Sequence, residues 1–180
     1  MIFKTKNNKE VLLRRLNPDD FERLFQYLQE LSPETTKRFG PHPFDTTSIV
    51  DFYGNFENLI GYIGLNNGTG EIIAYSIIRL GYLQHDSFRL LAYGLTPDNQ
   101  TDCTFAPSVA DQWQSQGVGN RLFQFILSEM KTLGMKRIIL WGGVQCDNQK
   151  AVNYYLRNGF RMLGQFETNV QNYDMVLDIG

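Results

Sequence analysis

The alternation of apolar and polar positions divides this chain into short blocks with two different periods. Val11–Leu16 reads as a strand. Phe21, Leu24, Phe25, Leu28 and Leu31 then recur with the spacing of one helical face. That helix has a start signal in Asn17-Pro18-Asp19-Asp20: Asn as N-cap, Pro in the first turn, acids after it. Ser32-Pro33-Glu34 repeats the signal for a shorter helix, which Gly40 and the pair Pro41/Pro43 terminate. Thr46–Tyr53 predicts a further helical turn or two. Leu59–Leu65 and Glu71–Leu80 are strand-like, and Asn66-Asn67-Gly68-Thr69-Gly70 between them is hairpin chemistry. Tyr82–Gln100 mixes polar residues with the apolar patch Leu90-Leu91-Ala92-Tyr93, and is expected either to extend the hairpin or to loop over a site.

The second half opens with a strand over Phe105–Val109 and a turn through Ala110–Gln116. A helix follows with Val118, Leu122, Ile126, Met130 and Leu133 as its buried stripe, ended by Gly134. Lys136–Val144 predicts a buried strand. Asn148 then caps a helix carrying Ala151, Val152 and Tyr155 on one side, and Gly159 closes it. Phe160–Thr168 and Tyr173–Leu177 are two last strands. The order β–α–α, an antiparallel meander, then β–α–β–α–β–β predicts a mixed sheet with helices packed on it, an α/β or α+β layer fold. No repeat, linker or low-complexity stretch interrupts it, so residues 1–180 are expected to form a single domain.

The composition, 42% hydrophobic and 20% charged, supplies enough apolar surface for a core and excludes a disordered chain. A net charge of −2 without a Lys/Arg-rich face argues against nucleic acid as the main partner. No window reaches membrane-spanning length and the N-terminus lacks a signal-peptide core, so a cytoplasmic setting is expected. Cys103 and Cys146 lack metal-ligand spacing, and His42 and His85 lie near neither; no metal is expected, and both histidines read as surface or loop residues.

The junction Gly117-Val118-Gly119 carries candidate chemistry. Glycines at a helix start let a ligand approach bare backbone, where first-turn N–H groups and the positive end of the helix dipole favour a phosphate. A plain strand–loop–helix corner accounts for the same glycines. Two nucleotide-binding alternatives fail: Leu122 stands where a dinucleotide fingerprint needs its third glycine, and no Gly-Lys-Ser/Thr follows.

Two blocks resolve the choice. Gln114-Ser115-Gln116-Gly117-Val118-Gly119 resembles the Q/R-x-x-G-x-G/A signature of the GNAT superfamily of acyl-CoA-dependent N-acetyltransferases. Asn148 to Phe160, NQKAVNYYLRNGF, is similar to that family's N-x-x-A-x-x-x-Y-x-K-x-G-F. The blocks stand in the family's order, and the element order matches from Val11 to the C-terminus. The resemblance implies a mixed, mostly antiparallel central sheet of about six to seven strands with helices on both faces. It implies acetyl-CoA as cosubstrate, its pyrophosphate on the Gln116–Asn120 backbone, and pantetheine paired along Ala106–Ala110. Gln114, Ser115, Gln116, Gly117, Val118, Gly119 and Asn120 are thus the expected cofactor-binding loop.

The resemblance further assigns the Val109 N–H to the thioester carbonyl and Tyr155 to protonation of the departing thiolate. Asn148 is assigned to the pantetheine region and Arg157 to a CoA phosphate. A thiol titrates near ~8.5 and a phenol near ~10, so the proton transfer is roughly balanced. Val109-Ala110-Asp111-Gln112-Trp113-Gln114 is also weakly similar to bacterial protein-lysine acetyltransferases, where a Glu five residues before the Val serves as base. Here that position is Thr104, which has no such chemistry. Asp102 shares its strand face and is the expected substitute; Glu71 or a water chain from a backbone carbonyl are alternatives. The implied reaction is direct transfer of an acetyl group to a primary amine, of a small molecule or of a protein or peptide, with Cys103 and Cys146 as core thiols. A CoA-binding sensor that has lost catalysis is the competing reading. Tyr82–Gln100 and Pro33–Phe44 are expected to border the acceptor site. Oligomeric state stays open, a homodimer among the options.

Overall fold

The computed structural model describes residues 1–55 and 57–179. Among these residues nine strands form, in chain order β1 (Ile2–Lys4), β2 (Glu10–Arg15), β3 (Leu59–Asn66), β4 (Ile72–Leu80), β5 (Asp102–Val109), β6 (Arg137–Leu140), β7 (Val144–Gln145), β8 (Arg161–Glu167) and β9 (Gln171–Asp178). The α-helices are α1 (Phe21–Gln29), α2 (Pro33–Thr36), α3 (Thr46–Gly54), α4 (Ser87–Ala92), α5 (Val118–Thr132) and α6 (Gln149–Arg157). The hydrogen-bonded order is β1-β2-β3-β4-β5-β6-β9-β7, with β8 on β9. β5 and β6 run parallel, while β1–β2, β2–β3, β6–β9, β7–β9 and β8–β9 are antiparallel. The class is the expected α/β one with mostly antiparallel pairing, built on more strands than the six to seven expected. Among the described residues no helix is long and apolar enough to cross a membrane.

Two compact units divide the chain: Met1–Ile78 with Ala106–Ser128, and Arg79–Phe105 with Glu129–Gly180. In the first, α1 starts one turn later than the sequence suggests. Pro18–Asp20 is a 3-10 turn, and the buried Asp20 carboxylate accepts from Arg14 (2.5 and 2.8 Å), from the Asn17 peptide (2.9 Å) and from Arg23. Burial pushes that carboxyl up, but the Arg14 and Asn17 hydrogen bonds outweigh it and hold it below the usual range. β1, which the sequence reading missed, pairs Ile2–Lys4 with Leu12–Glu10.

In the second unit the stretch expected as one strand over Lys136–Val144 is broken. Gly142 and Gly143 take φ of 66° and 75°, ending β6 and restarting the chain as β7. A Cβ on Gly143 would stand 2.7 Å from the Tyr173 carbonyl oxygen, so the turn admits only glycine. Tyr82–Gln100 does not extend the hairpin. It folds into a 3-10 turn and α4, and packs Leu90 of the helix and Leu95 just beyond it on Ile139 and Val176. Arg89 fastens it there, donating to Asp174 (2.9 and 3.2 Å) and Asp86 (2.8 Å) while lying 3.7 Å over the Phe166 ring.

Candidate active site

The first unit holds the expected phosphate loop. β5 leads into a 3-10 turn at Asp111–Trp113, whose Trp113 is buried, and the chain then passes Ser115 (φ 62°) and Gly117 (φ 92°) into α5. Two left-handed residues within three positions are what turn a strand into a helix start this abruptly. Nothing lies within 4 Å of where a Gly117 Cβ would be, so backbone conformation, not crowding, selects glycine there. Gly117 accepts from the Arg121 N–H (3.1 Å) and is thereby the N-cap of α5. Gln114 folds back, donating its amide to the Val109 carbonyl at 3.0 Å, which ties the loop to the end of β5.

The edge of β5 explains the position of Val109. Its ladder with β6 runs from Asp102–Arg137 to Phe105–Leu140, and Trp141 donates to the Phe105 carbonyl at 3.0 Å. The next bond of that ladder needs the N–H of residue 107, which is Pro107 and has none. On the other edge, Ala110 donates to the Ile73 carbonyl of β4 at 2.9 Å. Peptide groups alternate along a strand, so the Val109 N–H faces away from β4. β5 thus continues past the end of its ladder with one outward amide ahead of the loop. The sequence reading passed over Pro107, although a proline inside a strand pattern is itself the signal for a ladder's end.

Beside the loop, a cleft of about 210 Å³ in the same unit is lined by Glu30, Glu71, Asp111, Tyr27, Ile73 and Ala110, among others. Asp111 also braces the chain before α2, accepting from Thr35 Oγ1 (2.8 Å) and from the Ser32 hydroxyl (3.0 Å) and peptide (3.2 Å). Desolvation pushes the Asp111 carboxyl up, but the Thr35 and Ser32 hydrogen bonds prevail and hold it below the usual range. Below the cleft, Tyr27 and Ser108 share a buried hydrogen bond of 2.9 Å.

His42 bears out the loop half of its reading and not the surface half. It sits in a loop, as expected, but only 6% exposed, donating Nδ1–H to the Pro43 carbonyl (2.7 Å) with Nε2 3.1 Å from the Tyr75 hydroxyl. Phe44 and Phe52 pack around the ring, and burial lowers its affinity for a proton against the opposing effect of the Pro43 carbonyl. His85 is exposed, beside Asp86.

In the second unit, Asn148 caps α6, its side chain accepting from the Ala151 N–H at 3.2 Å. Tyr155 is 8% exposed and packs edge-on against Phe160, ring centroids 5.3 Å apart. Burial raises its phenol above the usual range, so it carries its proton at neutral pH. Among the described residues no hydrogen bond reaches its hydroxyl. Tyr154, its neighbour, is half-buried with its ring against Tyr155. Arg157 is exposed.

Asp102 requires a second correction. It is fully buried, bound to Arg137 through Nε (2.6 Å) and Nη2 (2.9 Å), and accepts the Asp98 N–H at 2.8 Å. A carboxylate whose oxygens already hold three donors, with no exposed surface, is a strut and not a base. Thr104 is equally buried. Cys103 is buried too, its thiol pushed up to about 12 by desolvation and by the adjacent Asp102 charge, as suits a thiol in the core.

Residues 12–160 match the acetyltransferase (GNAT) family, and the chain belongs to that family. Among solved structures it is similar to the GNAT domain of the S. lividans protein PAT, at 20% identity and a TM-score of 0.77, covering 99% of this chain and 96% of that one. A GNAT acetyltransferase from Streptococcus pneumoniae matches at 20% identity and 0.70, covering 94% and 99%. A Salmonella typhimurium protein solved with its cofactor acetyl-CoA matches at 14% identity and 0.70, covering 94% of each chain. No match is found among curated protein sequences.

Proposed function

We propose that the chain moves an acetyl group from acetyl-CoA to a primary amine by direct attack, in a reduced cytoplasmic setting. The observation that carries this reading is β5 running past the end of its ladder, with the Val109 amide outward, straight into the Gln114–Asn120 loop. Family membership and the acetyl-CoA bound to the Salmonella protein support the choice of donor. The Gln116–Asn120 backbone, at the positive end of α5, takes the pyrophosphate. Asn148 and Arg157 are assigned to the pantetheine arm and to a phosphate by the motif alone.

The amine nitrogen bonds to the thioester carbonyl carbon, and the Val109 N–H receives the charge that develops on the oxygen. As the carbon–sulfur bond breaks, a proton must reach the departing thiolate, a role that the family motif alone assigns to Tyr155. A lysine-type amine, near pKa ~10.4, arrives protonated and must first lose that proton. With Asp102 committed to Arg137, Glu71 at the cleft takes the role of base.

Thiol release with a panel of amines and peptides tests the reading. Wild type is expected to turn over at least one acceptor, and Tyr155→Phe to lower kcat by on the order of 10²-fold, the usual worth of a positioned acid. CoA binding without turnover on any acceptor overturns it in favour of a sensor.

A further inference from the structure

The N-terminal hairpin touches the phosphate loop, and the proposed reaction gives it no role. Its connection is tight: Thr5 donates to the Lys9 carbonyl (2.9 Å), Asn8 donates to the Thr5 carbonyl (3.0 Å), and Asn8 follows at φ 61°. Lys6 and Asn7 are the two central residues of that turn. The Thr5 side chain is buried and accepts the Lys9 N–H at 3.2 Å. The connection leans on the loop at two points. The Lys6 peptide N–H donates to the Gln116 carbonyl at 3.3 Å, and Lys9 Nζ lies 4.7 Å from the centroid of the Trp113 ring.

The first contact fixes an orientation. In a trans peptide the C=O and the following N–H point in opposite directions, so a Gln116 carbonyl turned toward Lys6 turns the Gly117 N–H away from the hairpin. Gln116 lies between two left-handed residues, Ser115 and Gly117, where a peptide without an outside partner is free to flip. Among the described residues the Gly117 N–H has no acceptor. The second contact holds Trp113, three residues before Gln116, against the same hairpin.

We propose that Lys6 is a positioning residue, acting through its main chain: the β1–β2 turn buttresses the Gln116–Gly117 peptide so that its N–H is presented to the phosphates of CoA. The inference rests on the proposed CoA reading. It gives a function to a strand that the sequence pattern did not show, since β1 exists to hold this turn in place.

The turn geometry supplies its own test. Lys6 is the second residue of a turn whose two central residues both have negative φ, where proline is favoured, so Lys6→Pro deletes the N–H with little disturbance to the fold. Lys6→Ala keeps the N–H and deletes the side chain beyond Cβ, ammonium included. Calorimetric titration with CoA, and with pantetheine, which has the same arm and no phosphate, reads the effect. Lys6→Pro is expected to keep its melting temperature, to weaken CoA roughly fivefold, the worth of about one hydrogen bond, and to leave pantetheine unchanged. Lys6→Ala is expected to bind CoA like wild type. Equal CoA affinity in Lys6→Pro and wild type overturns the inference, as does an equal loss in both variants or an equal loss on pantetheine. Failure of wild type itself to bind CoA overturns the underlying reading as well, so the two failures are distinguishable.

Discussion

Asp102→Asn separates a structural carboxylate from a catalytic one. The side chain is fully buried and holds Arg137 at 2.6 and 2.9 Å and the Asp98 N–H at 2.8 Å, while Arg137 also reaches the Thr96 carbonyl at 2.8 Å. Asparagine keeps one acceptor oxygen, loses the charge and turns an NH₂ toward a guanidinium. Breaking a buried pair costs about 3–5 kcal/mol. The Arg137 side chain is 22% exposed and recovers part of its hydration, so about 3 kcal/mol is expected. For a chain of this length each kcal/mol lowers the melting temperature by about 2–4 °C, giving a drop of about 6–12 °C. Thermal unfolding and kcat/KM, measured well below the midpoint, are the paired assays. The expected result is a large fall in midpoint with kcat/KM within about threefold of wild type, and near-recovery of the midpoint in Asp102→Leu/Arg137→Met, where no charge stays buried. An unchanged midpoint with a loss of 10²-fold or more in kcat/KM would refute the reasoning and restore Asp102 as the base.

His42 is buried with a lowered proton affinity, so below about pH 6.5 the unfolded chain binds a proton that the folded one does not. Its contribution to stability is complete above that pH and is lost as pH falls toward the folded value. Urea midpoints are expected to decline from pH 7 to 5 in wild type and to flatten in His42→Phe; parallel curves would contradict this. Gly164→Ala places a Cβ 2.3 Å from the Tyr93 ring and is expected to destabilise by about 1–3 kcal/mol, relieved by Tyr93→Leu in the same chain. Thiol alkylation of native protein at pH 8 is expected to label the partly exposed Cys146 and spare Cys103, with mass mapping as the check.

Local signals were legible where packing agrees with them. The α5 stripe is buried at Val118, Leu122, Ile126 and Met130 as its spacing predicts, while Leu133 falls past the helix end and is exposed, and Asn148 caps α6. The misses share a cause, partners far away in the chain. Arg89 finds Asp174 across 85 positions, which turns an ambiguous polar stretch into a packed helix. Asp102 finds Arg137 across 35, and that pairing decides between strut and base. β1 has only three residues, too few for any period, and owes its existence to the register with β2. His42, polar and flanked by prolines, reads as a surface or loop residue, and its loop is one over which Phe44, Phe52 and Tyr75 close. The turn into α5 was legible because its glycine requirement is local, and the surroundings of Asp102 were not, because Arg137 comes from a distant strand.

The most direct measurement is the balance of thiol released against N-acetylated amine formed, for wild type with acetyl-CoA and the best acceptor of the panel. Direct transfer predicts one acetylated amine for each thiol, with no acetyl group left on the protein. Thiol release without acetylated amine, or an acetyl group retained on a side chain, would contradict the account.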